Sequence, residues 1–260
     1  MKLHQTVTTF KKNLFLFEEL VKRDFTQKYK STALGMLWSV ISPLLTLLIM
    51  RIVFIDFFGR TTPHYTIYLF AGNIVMAYYR ESTKNGMLAL MSNAPIITKI
   101  NVPKYLFIFS KNVSSFINFI LTVVVFFIFC ALDGITFGWH MLALVFPIIC
   151  ITIMNVGIGM ILSALYIFFR DMNYLYDVFL TLLNYLSAIF YTIDRFSPTV
   201  QRLFLLNPVY DIIKYFRVVV IDGHLPSLAF HALCLGYSIF FFLLGSFFYK
   251  RYNHKFIYHL

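Results

Sequence analysis

Arg80, Glu81 and Lys84 interrupt an apolar run in a chain of 260 residues that is 60% hydrophobic and only 13% charged. Charge at membrane depth is costly, and it persists where it pairs, meets water or receives a ligand. Glu81 and Lys84 stand three apart and can pair on one helix face. Arg80 and Lys84 share a side that needs a partner, water or an anionic ligand, and Asp177, in a later apolar run, is a candidate to neutralise them. Around these positions stand Tyr78, Tyr79, Tyr185, Phe190, Tyr191, Tyr210 and Tyr215. They serve either as an interfacial aromatic belt or as rings that stack on sugars or guide a lipid along a wide path.

Other chemistry is excluded by the residues themselves. No G-x-x-x-x-G-K-[ST] loop is present, so the chain is not expected to hydrolyse ATP. H-E-x-x-H, Cys-x-x-Cys and G-x-S-x-G are also missing, so no catalytic and no metal-ligating residues are assigned. Cys130, Cys150 and Cys234 lie in apolar stretches and read as small hydrophobes. His231 reads as a packed or capped side chain. The formal net charge of +11 could suggest nucleic acid, but the cations flank apolar runs instead of forming a basic domain.

The elements that position these residues follow from composition. With 31 Phe and so few charges, the chain cannot present an ordinary soluble surface and is expected to cross a membrane repeatedly. A spanning helix needs about 20 mostly apolar residues. Six stretches qualify: residues 35–58, 65–90, 105–132, 141–169, 174–193 and 228–249. The second carries Arg80, Glu81 and Lys84 in its inner half. No cleaved signal peptide is expected.

Most of the 22 Lys and Arg fall on one side of this arrangement, which places both termini in the cytoplasm. Arg60, Arg195, Arg202, Lys214 and Arg217 fall outside, and Arg51 lies within the first span, where it can snorkel. Before that span, Phe10, Leu14, Phe17, Val21 and Phe25 recur every three or four residues between charges. This predicts an amphipathic helix over 8–30, lying in the membrane interface and running into the first span without a linker. In SNAPIITKINVPK, Pro95 can open a short helix and Pro103 can end it. Residues 197–227 are too long for a turn, too apolar for a solvated loop and broken at Asn207-Pro208 and Asp222-Gly223. They are expected to form re-entrant helices between spans five and six.

The order of these pieces carries a resemblance. Arg23-Asp24, Tyr29-Lys30, Leu34-Gly35, Trp38 and Pro43 resemble the opening of the membrane subunits of bacterial ATP-binding-cassette exporters for O-antigen, capsule and teichoic-acid polysaccharides. SNAPIITKINVPK is similar to that family's S-N-x-x-L-I-x-K-x-x-F-P-R segment, with Val102 and Lys104 replacing Phe and Arg. GIGMILSALYIFFRD resembles its G-x-G-x-x-x-S-A-x-x-x-x-x-R-D end of span four. SAIFYTIDRFSP and NPVYDIIKYFRVVVIDG resemble its S-P-x-F-Y and N-P-x-x-x-x-I-x-x-x-R stretches, with Ala188 where Pro is common. The four segments occur in order over nearly the whole chain.

The resemblance implies an all-α permease domain over residues 1–260 in the bacterial cytoplasmic membrane. It implies a homodimer joined to two copies of a separate ATPase, which carries ATP and Mg; this chain carries no cofactor. Coupling to that ATPase would fall to Arg23, Asp24, Ser92, Asn93, Pro95, Lys99, Pro103, Arg170 and Asp171. Trp38, Tyr78, Tyr79, Arg80, Glu81, Lys84, Phe190, Tyr191 and Tyr210 would border the path of a lipid-linked glycan. Two other readings are an exporter of a drug or other amphiphile and, in a different class, a membrane-embedded lipid or glycan transferase.

Overall fold

A computed structural model describes residues 2–30, 32–57, 63–100, 102–194 and 196–259. Arg60, Arg195 and Phe58, the last residue of the first expected span, lie outside these residues, as does the side chain of Phe10. Eleven α-helices follow in order, with no strand among the described residues. They are α1 (Lys2–Tyr29), α2 (Trp38–Arg51), α3 (Tyr65–Ser92), α4 (Ala94–Ile97), α5 (Tyr105–Leu132), α6 (Val145–Phe168), α7 (Met172–Leu186), α8 (Pro198–Phe204), α9 (Pro208–Val220), α10 (Leu228–Tyr252) and α11 (Phe256–His259).

Four segments among the described residues are long and apolar enough to cross a membrane: Gly35–Phe54, Tyr105–Leu132, Trp139–Phe168 and Leu228–Tyr252. The other two expected spans differ for separate reasons. α3 has the length, at 28 residues, but carries three charges. α7 has only 15 residues, about 22 Å at about 1.5 Å per residue, against a hydrocarbon core of about 30 Å. The stretch expected to be helical to Ile193 stops at Leu186, and Ala188 takes a left-handed φ of 48°.

α3 is the central post. Ile67, Leu69, Phe70, Ala71 and Val75 are fully enclosed, and α5, α6 and α9 pack around it. In lipid the hydrophobic effect does not drive one apolar helix onto another, so close packing and polar pairs must hold the bundle. The tightest seam joins α6 to α10. There a Cβ on Gly157 would strike the backbone of Phe241 and Phe242, and one on Gly245 would strike Gly157. Only residues without a side chain allow the two backbones so near each other.

The polar entry segment is not welded to the first span. α1 ends at Tyr29, turns occupy Ala33 and Leu34, and Gly35 adopts φ 53° before a short 3-10 turn leads into α2. The apolar stripe expected to face the acyl boundary is not the side of α1 most enclosed by the bundle. That enclosed side is Leu20 and Asp24, 3% and 6% exposed. Phe17, Val21 and Phe25 border a groove against Val113 and Ile117 of α5, and Leu14 is exposed. Asp24 faces the bundle, where Ser110 and Lys111 of α5 meet its carboxylate.

Candidate functional site

The end of α1, the α3–α4 junction and α5 share one polar network. Arg23 donates to Asp24 at 2.7 Å and to the Asn93 side-chain oxygen at 2.8 Å. Asp24 also accepts from Ser110 at 3.2 Å and Lys111 at 2.9 Å. Asn93 in turn donates to the carbonyl of Ala89 at 2.7 Å, satisfying an acceptor in the last turn of α3. Arg23, Asp24 and Asn93, singled out from the sequence for coupling, are thus brought together; Ser110 and Lys111 were not foreseen. An isolated buried carboxylate would be costly, and two cations and a hydroxyl supply what burial takes away.

The remaining coupling residues are more open. Ser92 donates to Ala89 at 3.3 Å. Pro95 lies in the first turn of α4, and both it and Lys99 are exposed. Pro103 precedes Lys104, whose ammonium donates to the Asn253 carbonyl at 3.1 Å, tying this segment to the end of α10. Partial burial lowers the Lys104 pKa. Arg170 and Asp171 form the exposed turn between α6 and α7.

The middle of α3 divides the path residues between different faces. The expected Glu81–Lys84 pair does not form. Glu81 instead accepts from Lys28 of α1 at 2.8 Å and from Asn118 of α5 at 3.1 Å. Lys84 makes a bidentate pair with Asp177 of α7, at 2.6 and 2.8 Å. Each long side chain leans toward a different neighbouring helix, so tertiary partners override the local spacing. Arg80 is exposed, and its guanidinium makes no hydrogen bond or ion pair among the described residues.

Trp38, Tyr78 and Glu81 line a cavity of about 440 Å³ between α2, α3 and α5. Tyr79 instead lines an apolar groove with Tyr176 and Phe179. The Tyr176 hydroxyl donates to Thr83 at 2.6 Å, and Thr83 donates to the Tyr79 carbonyl at 2.6 Å. α7 is therefore docked on α3 by this relay as well as by the Lys84–Asp177 pair.

Phe190 and Tyr191 belong to the break after α7 and Tyr210 to the first turn of α9, and side-chain donors reach the carbonyls of Leu186, Ala188, Ile189, Phe190 and Tyr191. Asn207 caps Leu186 at 3.2 Å, and Ser187 donates to Leu183 at 2.7 Å. Arg217 of α9 donates to the carbonyls of Ala188 at 2.9 Å, Ile189 at 3.1 Å and Tyr68 at 3.2 Å. Tyr65 and Tyr68 donate to the Phe190 and Tyr191 carbonyls at 2.8 and 2.7 Å. Irregular backbone in a membrane protein is tolerated where it is paired internally in this way. The Tyr191 and Tyr210 rings meet around Phe204, at 6.3 and 5.3 Å. In the sequence Arg217 stands as one of the outside cations and as the Arg of the N-P-x-x-x-x-I-x-x-x-R resemblance; its role as a carbonyl clamp needed the fold.

No cluster of three metal-ligating side chains exists among the described residues. The architecture defines a multi-pass helical membrane protein whose polar residues tie helices together. A family model described as ABC-2 type transporter matches residues 16–221, and the chain belongs to that family. It is similar to an O-antigen export system permease protein of Klebsiella pneumoniae, with 29% identity over 220 residues, 81% of this chain and 83% of that relative. It is also similar to one of Myxococcus xanthus, at 22% identity over 216 residues and 82% of both chains.

Proposed function

We propose that the chain is the permease of an exporter that carries a lipid-linked polysaccharide across the bacterial cytoplasmic membrane, driven by a separate ATPase subunit. One observation carries this reading: four motif segments occur in order along the chain, three of them wholly within the matched family region and all resembling polysaccharide-export permeases. The relatives named as O-antigen export permeases support the same cargo class. In this reading α2, α3, α5, α6, α7 and α10 are six spans, both termini are cytoplasmic, and α8 and α9 form the re-entrant cover of the outer end. Two copies of the chain join two ATPase subunits, which bind ATP and Mg. The unpartnered faces of α2 and α7, with Leu48 and Leu182 exposed, suit a path between two copies.

Closure of the ATPases on ATP would push on α4 and the Arg23–Asp24–Asn93 network. That motion reaches α3 and α5 through side-chain bonds instead of through the turn before α2. Arg80, exposed and unpaired beside the Lys84–Asp177 pair, is suited to receive the anionic phosphate of the carrier lipid.

The test is to purify the tagged chain under mild conditions from its native cells and identify its companions by mass spectrometry. An ATPase subunit in equal amount is expected, and disrupting residues 92–103 should release it. Arg80→Ala should lower surface glycan while leaving assembly intact. A chain that purifies alone, from cells whose surface glycan does not depend on it, would overturn the reading.

A further inference from the structure

Three helices bring polar residues to one place inside an apolar bundle. Ser39, Ser42 and Thr46 recur at spacings of three and four on α2, so they share a face. On α3, Asn73 and Glu81 stand on one side with Ala77 between them; on α5, Ser115, Asn118 and Thr122 repeat the same spacing. All of these line the cavity of about 440 Å³ that Lys28, Trp38 and Tyr78 also border. Such a volume lies within the range of about 300–1,000 Å³ usual for small-molecule sites. Polar groups at membrane depth are costly unless they meet polar partners, and here those of three helices converge on one space.

The chemistry of that space is neutral. Lys28 and Glu81 pair at 2.8 Å, so their charges cancel, and the Asn118 amide donates to the same carboxylate at 3.1 Å. Ser39, Thr46 and Thr122 give their protons to backbone carbonyls at 2.7, 2.9 and 3.1 Å. Their oxygens therefore stand ready as acceptors. The Asn73 carboxamide, which can donate and accept, makes no hydrogen bond among the described residues. An anionic group would want uncompensated cations, which this cavity lacks, whereas a hydroxyl-rich ring matches alternating donors and acceptors beside an indole and a phenol ring.

We infer that this cavity, within one protomer, binds a neutral polyhydroxyl group, namely a sugar residue of the exported glycan. The inference rests on the export reading above and separates two tasks: sugar on the Glu81 side of α3, phosphate on the Arg80 side.

The experiment uses Trp38 as its reporter. The chain has two tryptophans, and Trp139, which is 76% exposed and away from the cavity, is replaced by Phe. The full complex in lipid nanodiscs is titrated with methyl glycosides of the neutral hexoses and, separately, with inorganic phosphate and glucose 1-phosphate. A saturable change in Trp38 emission is expected with a methyl hexoside and none with phosphate. Asn73→Leu should weaken it roughly tenfold, the effect of about one lost hydrogen bond, and lower surface glycan in cells. Thr122→Val, nearly isosteric, gives the same readout if Asn73→Leu fails to assemble. No response to any methyl hexoside, or a response to glucose 1-phosphate alone, overturns the inference. Sugar binding lost in these variants while surface glycan stays normal assigns the cavity to a membrane glycolipid headgroup and overturns the cargo assignment. If deleting the whole chain leaves surface glycan unchanged, the export reading fails instead.

Discussion

The guanidinium of Arg217 sits 3.4 Å above the Tyr68 ring and donates to the backbone carbonyl of that same tyrosine at 3.2 Å. One cation on α9 thereby grips α3 by ring and backbone and also holds the carbonyls of Ala188 and Ile189. Three segments far apart in sequence meet at one planar group, 7% exposed.

Lysine should not replace it. An ammonium is a point donor without a fork, so Arg217→Lys leaves at least one buried carbonyl unpaired, at a cost of about 1–3 kcal/mol. A clear fall in the thermal unfolding midpoint of the purified chain is expected, and an unchanged midpoint would show that the clamp contributes nothing.

Ala188, at φ 48°, occupies a conformation that glycine enters freely and proline cannot, since its ring fixes φ near about −65°. Ala188→Gly should change stability by less than about 1 kcal/mol, because relief of the left-handed strain offsets the added chain entropy. Ala188→Pro should cut the amount of folded protein in membranes sharply. Equal levels of the two variants, compared by fluorescence-detected chromatography, would mean that the break after α7 is not held in this form.

Asp24→Asn removes the charge that Arg23 and Lys111 share. The side chain is 1% exposed and its partners are 36% and 21% exposed. Those cations can therefore turn to water, and the cost should fall below the about 3–5 kcal/mol typical of a fully buried pair. Hydrogen exchange across residues 13–29 should speed up as α1 loosens from α5. Unaltered exchange there would mean that apolar contacts alone hold the helix.

The Lys84–Asp177 pair, 33% and 47% exposed, tests whether this face of α3 is wet. A double-mutant cycle with Lys84→Met and Asp177→Asn should give a coupling of about 0.2–1 kcal/mol, as for solvated pairs. A coupling several times larger would place the pair in lipid and argue against an aqueous path on this side.

Gly157 and Gly245 make the α6–α10 seam. Substituting either by Val should prevent the two backbones from meeting, since a Cβ at each already strikes main chain. Loss of assembled chain is expected for each variant. Normal assembly would show that α10 can shift without consequence.

The sequence by itself determined the class of molecule, because hydrophobic runs, the lack of phosphate-loop chemistry and the placement of Pro95 are local properties. The motifs that carry the family resemblance pointed to Arg23, Asp24 and Asn93, and the charges in the second apolar run pointed to Asp177 as a neutralising partner, since charge at membrane depth demands company. The sequence could not determine which partner each charge takes. Glu81 and Lys84 had a good local spacing, yet they turn to Lys28 and Asp177 on different helices. The length of α7 was also beyond its reach: apolar residues run on to Ile193, and the helix stops because Arg217, Tyr65, Tyr68 and Asn207 satisfy the broken backbone from afar. Only the tertiary structure decided these points, because each depends on donors and acceptors tens or more residues apart in the chain, and no periodicity within one helix records them.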